Sequence, residues 1–363
     1  MLAMLRTAGE RVELRCAVGW LAAVLADGAA GECVPLDGEP PDVRVTVEDS
    51  AAAFDATRWT VLTRDAWSQH RHVIIRNACS SGLDLRLAVK GPMLDVTARW
   101  RPPPAVRAAS TVLRARARLL LRAVLLQYPA LWWSGQRGRA PLHASVYTVG
   151  GPDGAVALLA GPGGVGKTTL VAAGLGCGAV ATCDNLCVTD GRTAWGLVEP
   201  LRVPHAGSVS HDRLWSRGRR MPHDRRETAW PRRASQLTPD QLVVLARSRR
   251  PAPAVEPCAP TEAARFLVAG TYMAGELRRY WGFAATLALG TGLGPPHPPI
   301  EPIAAALSSR LPCRKVTLGD RAGGKPGDGP AAALHDLLGA APDITQPDMP
   351  PAGTTVADTE VRL

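Results

Sequence analysis

The spacing of hydrophobic and polar positions changes along the chain. Within about residues 42–100, short segments at 43–47, 73–76, 83–89 and 93–100 are rich in apolar and β-branched positions at alternate residues, and Ser80-Ser81-Gly82 and Gly91-Pro92 separate them. Successive strand side chains point to opposite faces, so this pattern predicts a small sheet with one buried side. The apolar stretch 12–25 predicts an opening helix, and Arg101-Pro102-Pro103-Pro104 punctuates the end of the segment. From about 105 to 127 the spacing becomes helical. Arg107, Arg114, Arg118 and Arg122 fall on one stripe of that helix; a solvated face is the simpler reading, and contact with an acidic lipid or partner is the other.

A different alternation begins near Ala140. A strand at 142–149, a turn at 150–154, a strand at 155–160, a glycine-rich loop, a helix at 168–174 and a strand at 179–183 follow one another. A hairpin about Asp190-Gly191, a strand at 242–245 and helices at 261–272 and 275–289 complete the run. Strands alternating with helices predict an α/β core. Gly290-Thr291-Gly292-Leu293-Gly294 follows a helix, so it reads as a helix stop. The chain thus divides into a smaller sheet-rich α+β domain at 1–104, a helical connector at 105–139, an α/β domain at 140–319 and a tail at 320–363. The tail is rich in Gly, Pro and Ala and is expected to be mostly disordered and outside any core, apart from a turn of helix at 331–338.

The strongest chemical signal lies in the α/β domain. Gly161-Pro162-Gly163-Gly164-Val165-Gly166-Lys167-Thr168 fits G-x-x-x-x-G-K-[ST] at every fixed position, and Thr169 continues into the helix. Glycines let such a loop curl so that backbone N–H groups face phosphate oxygens, and the following helix adds its positive end. The expected ligands are ATP and Mg²⁺, with Lys167 on the β- and γ-phosphates and the Thr168 hydroxyl on the metal. An acid at the end of a neighbouring apolar strand would normally complete the site, but 242–245 runs into Ala246-Arg247. Asp184, seventeen residues after Lys167, is the best-placed substitute. A strand leaving the loop's helix is expected to return beside the loop, which would bring Asp184 close.

Composition refines this picture. The chain has 363 residues and a formal charge of +10, yet only Lys90, Lys167, Lys315 and Lys325 are lysines. The excess is arginine, no nucleic-acid motif accompanies it, and a polyanion partner is not the expected reading. Ten arginines fall in residues 216–250; the stretch 217–233, bracketed by Trp215 and Trp230, reads as either a phosphate-gripping lid or a solvated loop. The most apolar run, 119–126, is interrupted by Arg122 and too short to span a bilayer. Eight cysteines without a framework spacing point to reduced thiols and a cytoplasmic protein. Cys177, Cys183 and Cys187 lack a paired C-x-x-C and read as small buried hydrophobes.

Leu142-His143-Ala144-Ser145, the 161–168 loop, Gly178 and Thr182-Cys183-Asp184-Asn185-Leu186 come in an order that resembles the catalytic domain of the HPr serine kinase/phosphorylase family. The resemblance implies a P-loop domain of the HPr-kinase/PEP-carboxykinase-like type and ATP-dependent phosphoryl transfer to a hydroxyl of a peptide, protein or small molecule. It also implies His143 near the γ-phosphate, Lys167 on the transferring group, and Asp184 as base and metal-linked acid. Arg202 is a candidate for the family's later arginine. Asn185 stands where the family usually has a second acid, which favours the rival reading of a nucleotide-binding scaffold or regulatory ATPase. Similar kinase-like proteins accompany biosynthetic clusters for modified peptides, so HPr itself is not the expected acceptor. A homo-oligomer stays open.

Overall fold

The structure is a computed structural model that describes residues 1–204, 219–221, 225–248, 253–319 and 334–339. Period-two burial builds an eight-stranded sheet from the first hundred residues. Its strands are β1 (Leu2–Thr7), β2 (Glu10–Cys16), β3 (Val43–Glu48), β4 (Thr60–Thr63), β5 (Ala66–Gln69), β6 (His72–Ile75), β7 (Leu83–Lys90) and β8 (Met93–Trp100). They lie in the order β1-β2-β3-β8-β7-β6-β5-β4. In β3, Val43, Val45 and Val47 are buried while the residues between them are not. β3 runs parallel to both neighbours, and the remaining pairs are antiparallel. The helix expected at 12–25 is corrected: its first third is β2, with Val12, Leu14 and Cys16 turned inward, and the helix is Gly19–Gly28. β1, β4 and β5 were not anticipated from the pattern.

The helix expected at 105–127 is also interrupted. It comprises Pro104–Val112 and Arg114–Arg122, broken at Leu113, then a wider π turn at Ala123–Gln127 that leads into Tyr128–Gln136. The arginine stripe is not one solvated face. Arg122 is buried and donates from Nη1 to both carboxylate oxygens of Glu227 at 2.9 Å, and Arg118 pairs with Asp27.

The later strands are β9 (Ala140–Leu142), β10 (Ala144–Thr148), β11 (Val156–Ala160), β12 (Ala181–Cys183), β13 (Cys187–Thr189), β14 (Ala194–Gly196) and β15 (Leu201–Pro204). They continue as β16 (Arg219–Met221), β17 (Arg225–Thr228), β18 (Gln236–Leu237), β19 (Gln241–Ser248), β20 (Ala254–Pro257) and β21 (Cys313–Gly319). A six-stranded sheet in the order β12-β10-β11-β19-β21-β20 has β11, β19 and β21 parallel at its centre. Both its faces are buried. Leu159, Val243 and Leu245 pack toward Leu170, Val171 and Leu175 of the helix Lys167–Gly176. Leu158, Leu242 and Val244 pack toward the helices Pro260–Tyr272 and Ile300–Arg310. This near-continuous apolar reading is what a parallel sheet covered on both sides requires. The molecule is therefore mixed α/β with several sheets.

Smaller sheets lie alongside, in the orders β18-β14-β13-β9 and β15-β17-β16. The single strand expected at 142–149 is divided at His143, because β9 pairs with β13 in one sheet and β10 with β11 in another. The helix Arg278–Thr291 ends on Gly292 in the left-handed region, as its helix-stop signature implies. Of the arginine-rich stretch 217–233, residues 217–218 and 222–224 and the bracketing Trp215 lie outside the described residues. Parts of the rest are β16 and β17, and Trp230 is buried with its indole N–H donated to the Glu199 carbonyl. Most of the tail expected to be disordered lies outside the described residues, but Leu334–Gly339 is a helix whose Leu334 joins the core around Val243 and Leu245. That short segment corrects the expectation that the tail would meet no core. Among the described residues no helix is long and apolar enough to cross a membrane.

Candidate functional site

The loop Gly161-Pro162-Gly163-Gly164-Val165-Gly166 leaves the C-terminal end of β11 and enters the helix Lys167–Gly176. Glycine is required at two points for different reasons. At Gly161 a Cβ would meet the Leu245 carbonyl oxygen at 2.8 Å, so only a bare backbone passes the adjacent strand. Gly166 sits at φ +123, a conformation other residues rarely adopt. The resulting turn leaves the first N–H groups of the helix facing a cavity of about 720 Å³.

Lys167 folds into the loop. Its buried ammonium donates to the Gly161 carbonyl at 2.7 Å and to the Pro162 carbonyl at 3.2 Å. Burial pushes its pKa down to about 8, against the raising pull of the Glu276 and Asp184 carboxylates. Pro162, Gly163, Gly164, Gly166, Thr168 and Thr169 line the same cavity, and Val165 is tucked beneath it.

His143 enters from the junction of β9 and β10. Its backbone N–H donates to the Thr271 hydroxyl, its Nδ1 lies 3.2 Å from the Gly270 carbonyl oxygen, and its Nε2 lies 3.0 Å from the Asn185 amide. Burial and the nearby Lys167 charge lower its pKa below the usual histidine value, which keeps the ring neutral at pH 7. The atom 3.0 Å from Nε2 is the Asn185 Oδ1, but a neutral ring that donates from Nδ1 has only a lone pair at Nε2, so the amide turned end for end would present its NH₂ there. That orientation also gives a partner to the buried Nδ2, which otherwise has none.

Asp184 is buried at the end of β12. β12 runs in the same sense as β11, but β10 lies between them. The expected return beside the loop is thus displaced by one strand, because the hydrogen-bonding edge of β11 is already occupied by β10. Asn185, and not Asp184, lines the cavity. The Asp184 carbonyl accepts a bond from the Ser145 hydroxyl at 2.5 Å, which ties this strand end to β10. Arg202 belongs to a buried chain of charges. Its guanidinium donates to Glu199 at 2.9 Å and lies 3.8 Å from Glu227, the carboxylate that also holds Arg122. Burial pushes Glu199 up to about 7 despite Arg202, and the Asp184 and Glu276 charges add to the rise.

Two charged side chains on the cavity wall were not singled out as site residues in the sequence. Arg247, where an acid was sought and not found, donates from Nε to the Val165 carbonyl at 3.1 Å and lines the cavity at the loop. Glu276 lines the same cavity, in the turn between Pro260–Tyr272 and Arg278–Thr291. Arg247 had a readable signal, since it ends the apolar strand that pairs with β11; Glu276 had none. Among the described residues no group of three or more His, Cys, Asp or Glu is gathered to hold a metal ion. The chain matches no protein-family model and no curated protein.

Proposed function

We propose that the chain binds ATP with Mg²⁺ at the 161–168 loop and transfers the γ-phosphate to a hydroxyl of a peptide, protein or small molecule, in the manner of HPr-kinase-like P-loop proteins. The observation that carries this reading is the loop itself. It leaves a central parallel strand, enters a helix N-terminus and encloses a lysine beside a cavity of about 720 Å³. Open α/β sheets bind ligands at the carboxyl ends of their strands, and the site lies there. Backbone N–H groups and the helix end would hold the phosphates. Lys167 would exchange its two carbonyl partners for phosphate oxygens, and Arg247 adds a second cation at the same rim.

The donor set suits Mg²⁺, which takes one or two protein ligands and completes its shell with phosphates and water. Thr168 on the cavity wall and Asp184 at the same end of the sheet are the residues that would hold it. When bound, the metal neutralises charge on the phosphate oxygens. Lys167 and the loop amides stabilise the transferring group, and His143, neutral and fixed at both nitrogens, offers a polar contact without adding charge. The rival reading is a nucleotide-binding scaffold or regulatory ATPase, favoured by the amide at Asn185 in place of a second acid. Radiolabelled ATP incubated with hydroxyl-bearing peptides and small molecules, beside an ATPase assay, separates the two. Label transferred to an acceptor supports the kinase, whereas tight binding of ATP with no label transferred supports the scaffold.

A further inference from the structure

We propose that Glu276 is the proton acceptor of the site, the carboxylate that receives the hydroxyl proton of the phosphoryl acceptor. This inference rests on the phosphotransferase reading above and takes the base role from Asp184, whose charge still acts on Lys167. Among the described residues Glu276 is the only carboxylate that lines the cavity. Asp184 is buried and does not line it.

The position of Glu276 is fixed from both sides while its side chain stays exposed. Ala274 and Leu277 are buried on either side of it, and the Leu277 N–H donates to the Ala274 carbonyl at 3.1 Å. The Tyr128 hydroxyl donates to the Glu276 carbonyl at 3.3 Å. The same chain segment is tied to His143 through Gly270 and Thr271. The loop with Lys167 and Arg247 and the turn bearing the exposed Glu276 thus line one cavity. A general base must come within hydrogen-bond reach of the hydroxyl, and among the described residues Glu276 is the carboxylate that opens on the cavity. The electrostatics agree with this placement, because the Glu276 charge is felt at both His143 and Lys167.

In the step itself the acceptor O–H proton passes to a Glu276 carboxylate oxygen while the acceptor oxygen bonds to the γ-phosphorus. The bond from that phosphorus to the β,γ-bridging oxygen breaks, and its electron pair leaves with ADP. Water serves as the test acceptor, with ADP formation from MgATP as the readout and calorimetry of MgATP as the binding control. Glu276→Gln should keep MgATP affinity at or above that of the parent and reduce ADP formation at least about hundredfold. Glu276→Ala should be equally slow and regain activity in added formate but not in added chloride, which a merely structural role would not produce. Unchanged turnover in Glu276→Gln, a loss that formate does not restore, or a parent that binds MgATP and forms no ADP would each overturn the assignment. A parent that fails to bind MgATP would instead remove the phosphotransferase reading beneath it.

Discussion

At the residue scale the site is a set of charges held at unusual protonation energies. Lys167 in the free protein has its pKa pushed down to about 8, chiefly by burial. A bound triphosphate favours the ammonium, so above that pH binding must take up a proton. ATP affinity should therefore hold steady below pH 8 and fall by up to about tenfold per pH unit above it. Calorimetry at pH 7, 8 and 9 checks this, and a flat profile contradicts it. His143 is shifted in the same direction: its pKa lies below the ordinary value, and the amide at 185 supplies no charge to lift it. Asn185→Asp should raise it, because a carboxylate at Nε2 favours the imidazolium. An NMR titration of the ring that shows no upward move would mean that residue 185 does not face it. The loop glycines, Lys167 and Thr168 were legible in the sequence because a phosphate loop is contiguous and each position has its own backbone demand. Glu276 was not, because it comes to the cavity from a turn far along the chain and no local pattern marks it.

At the element scale the readable and unreadable parts divide by range. β3 alternates cleanly, and β7 and β8, less regular in burial, were legible as apolar and β-branched runs between turn residues. β2 was not, since its apolar residues run directly into those of the helix Gly19–Gly28 and a short apolar run fits either period. The split of β9 from β10 at His143 depends on partners in two different sheets, which no local spacing encodes. The contact between Arg122 and Glu227 is of the same kind and joins the helix Arg114–Arg122 to β17. Both side chains are buried, so removing Arg122 leaves the Glu227 carboxylate with only the more distant Arg202 at 3.8 Å. Arg122→Ala should destabilise the fold by about 3–5 kcal/mol. The paired change Arg122→Met with Glu227→Leu should cost clearly less than the sum of the single changes. Urea denaturation measures both, and strictly additive losses would show that the two groups do not act as a pair.

For the whole molecule, one buried sheet organises the chain from residue 140 onward, and even a piece of the tail contributes to it. Leu334 is buried against the core of β11 and β19, and Arg314 donates to the Leu338 carbonyl at 3.3 Å. A chain ending at 341 keeps these contacts and one ending at 319 loses them. Burying a leucine is worth about 1.5–3 kcal/mol, so the shorter chain should melt at least about 3 °C lower. Equal melting temperatures would show that the helix Leu334–Gly339 adds nothing to stability. The eight-stranded sheet is not insulated from the rest. Its core runs on through Trp132 and Tyr128 to Tyr280 and Leu287, on the helix that follows the turn bearing Glu276. The first hundred residues therefore share one core with that helix.

The central claim is that the 161–168 loop holds a nucleoside triphosphate, and Lys167 gives its most direct test. Isothermal titration of MgATP into the parent and into Lys167→Ala at pH 7 should show a single binding event in the parent. The variant should bind at least about tenfold more weakly, because it lacks the ammonium aimed at the β- and γ-phosphates. Equal affinities, or a parent that takes up no MgATP, would contradict the account.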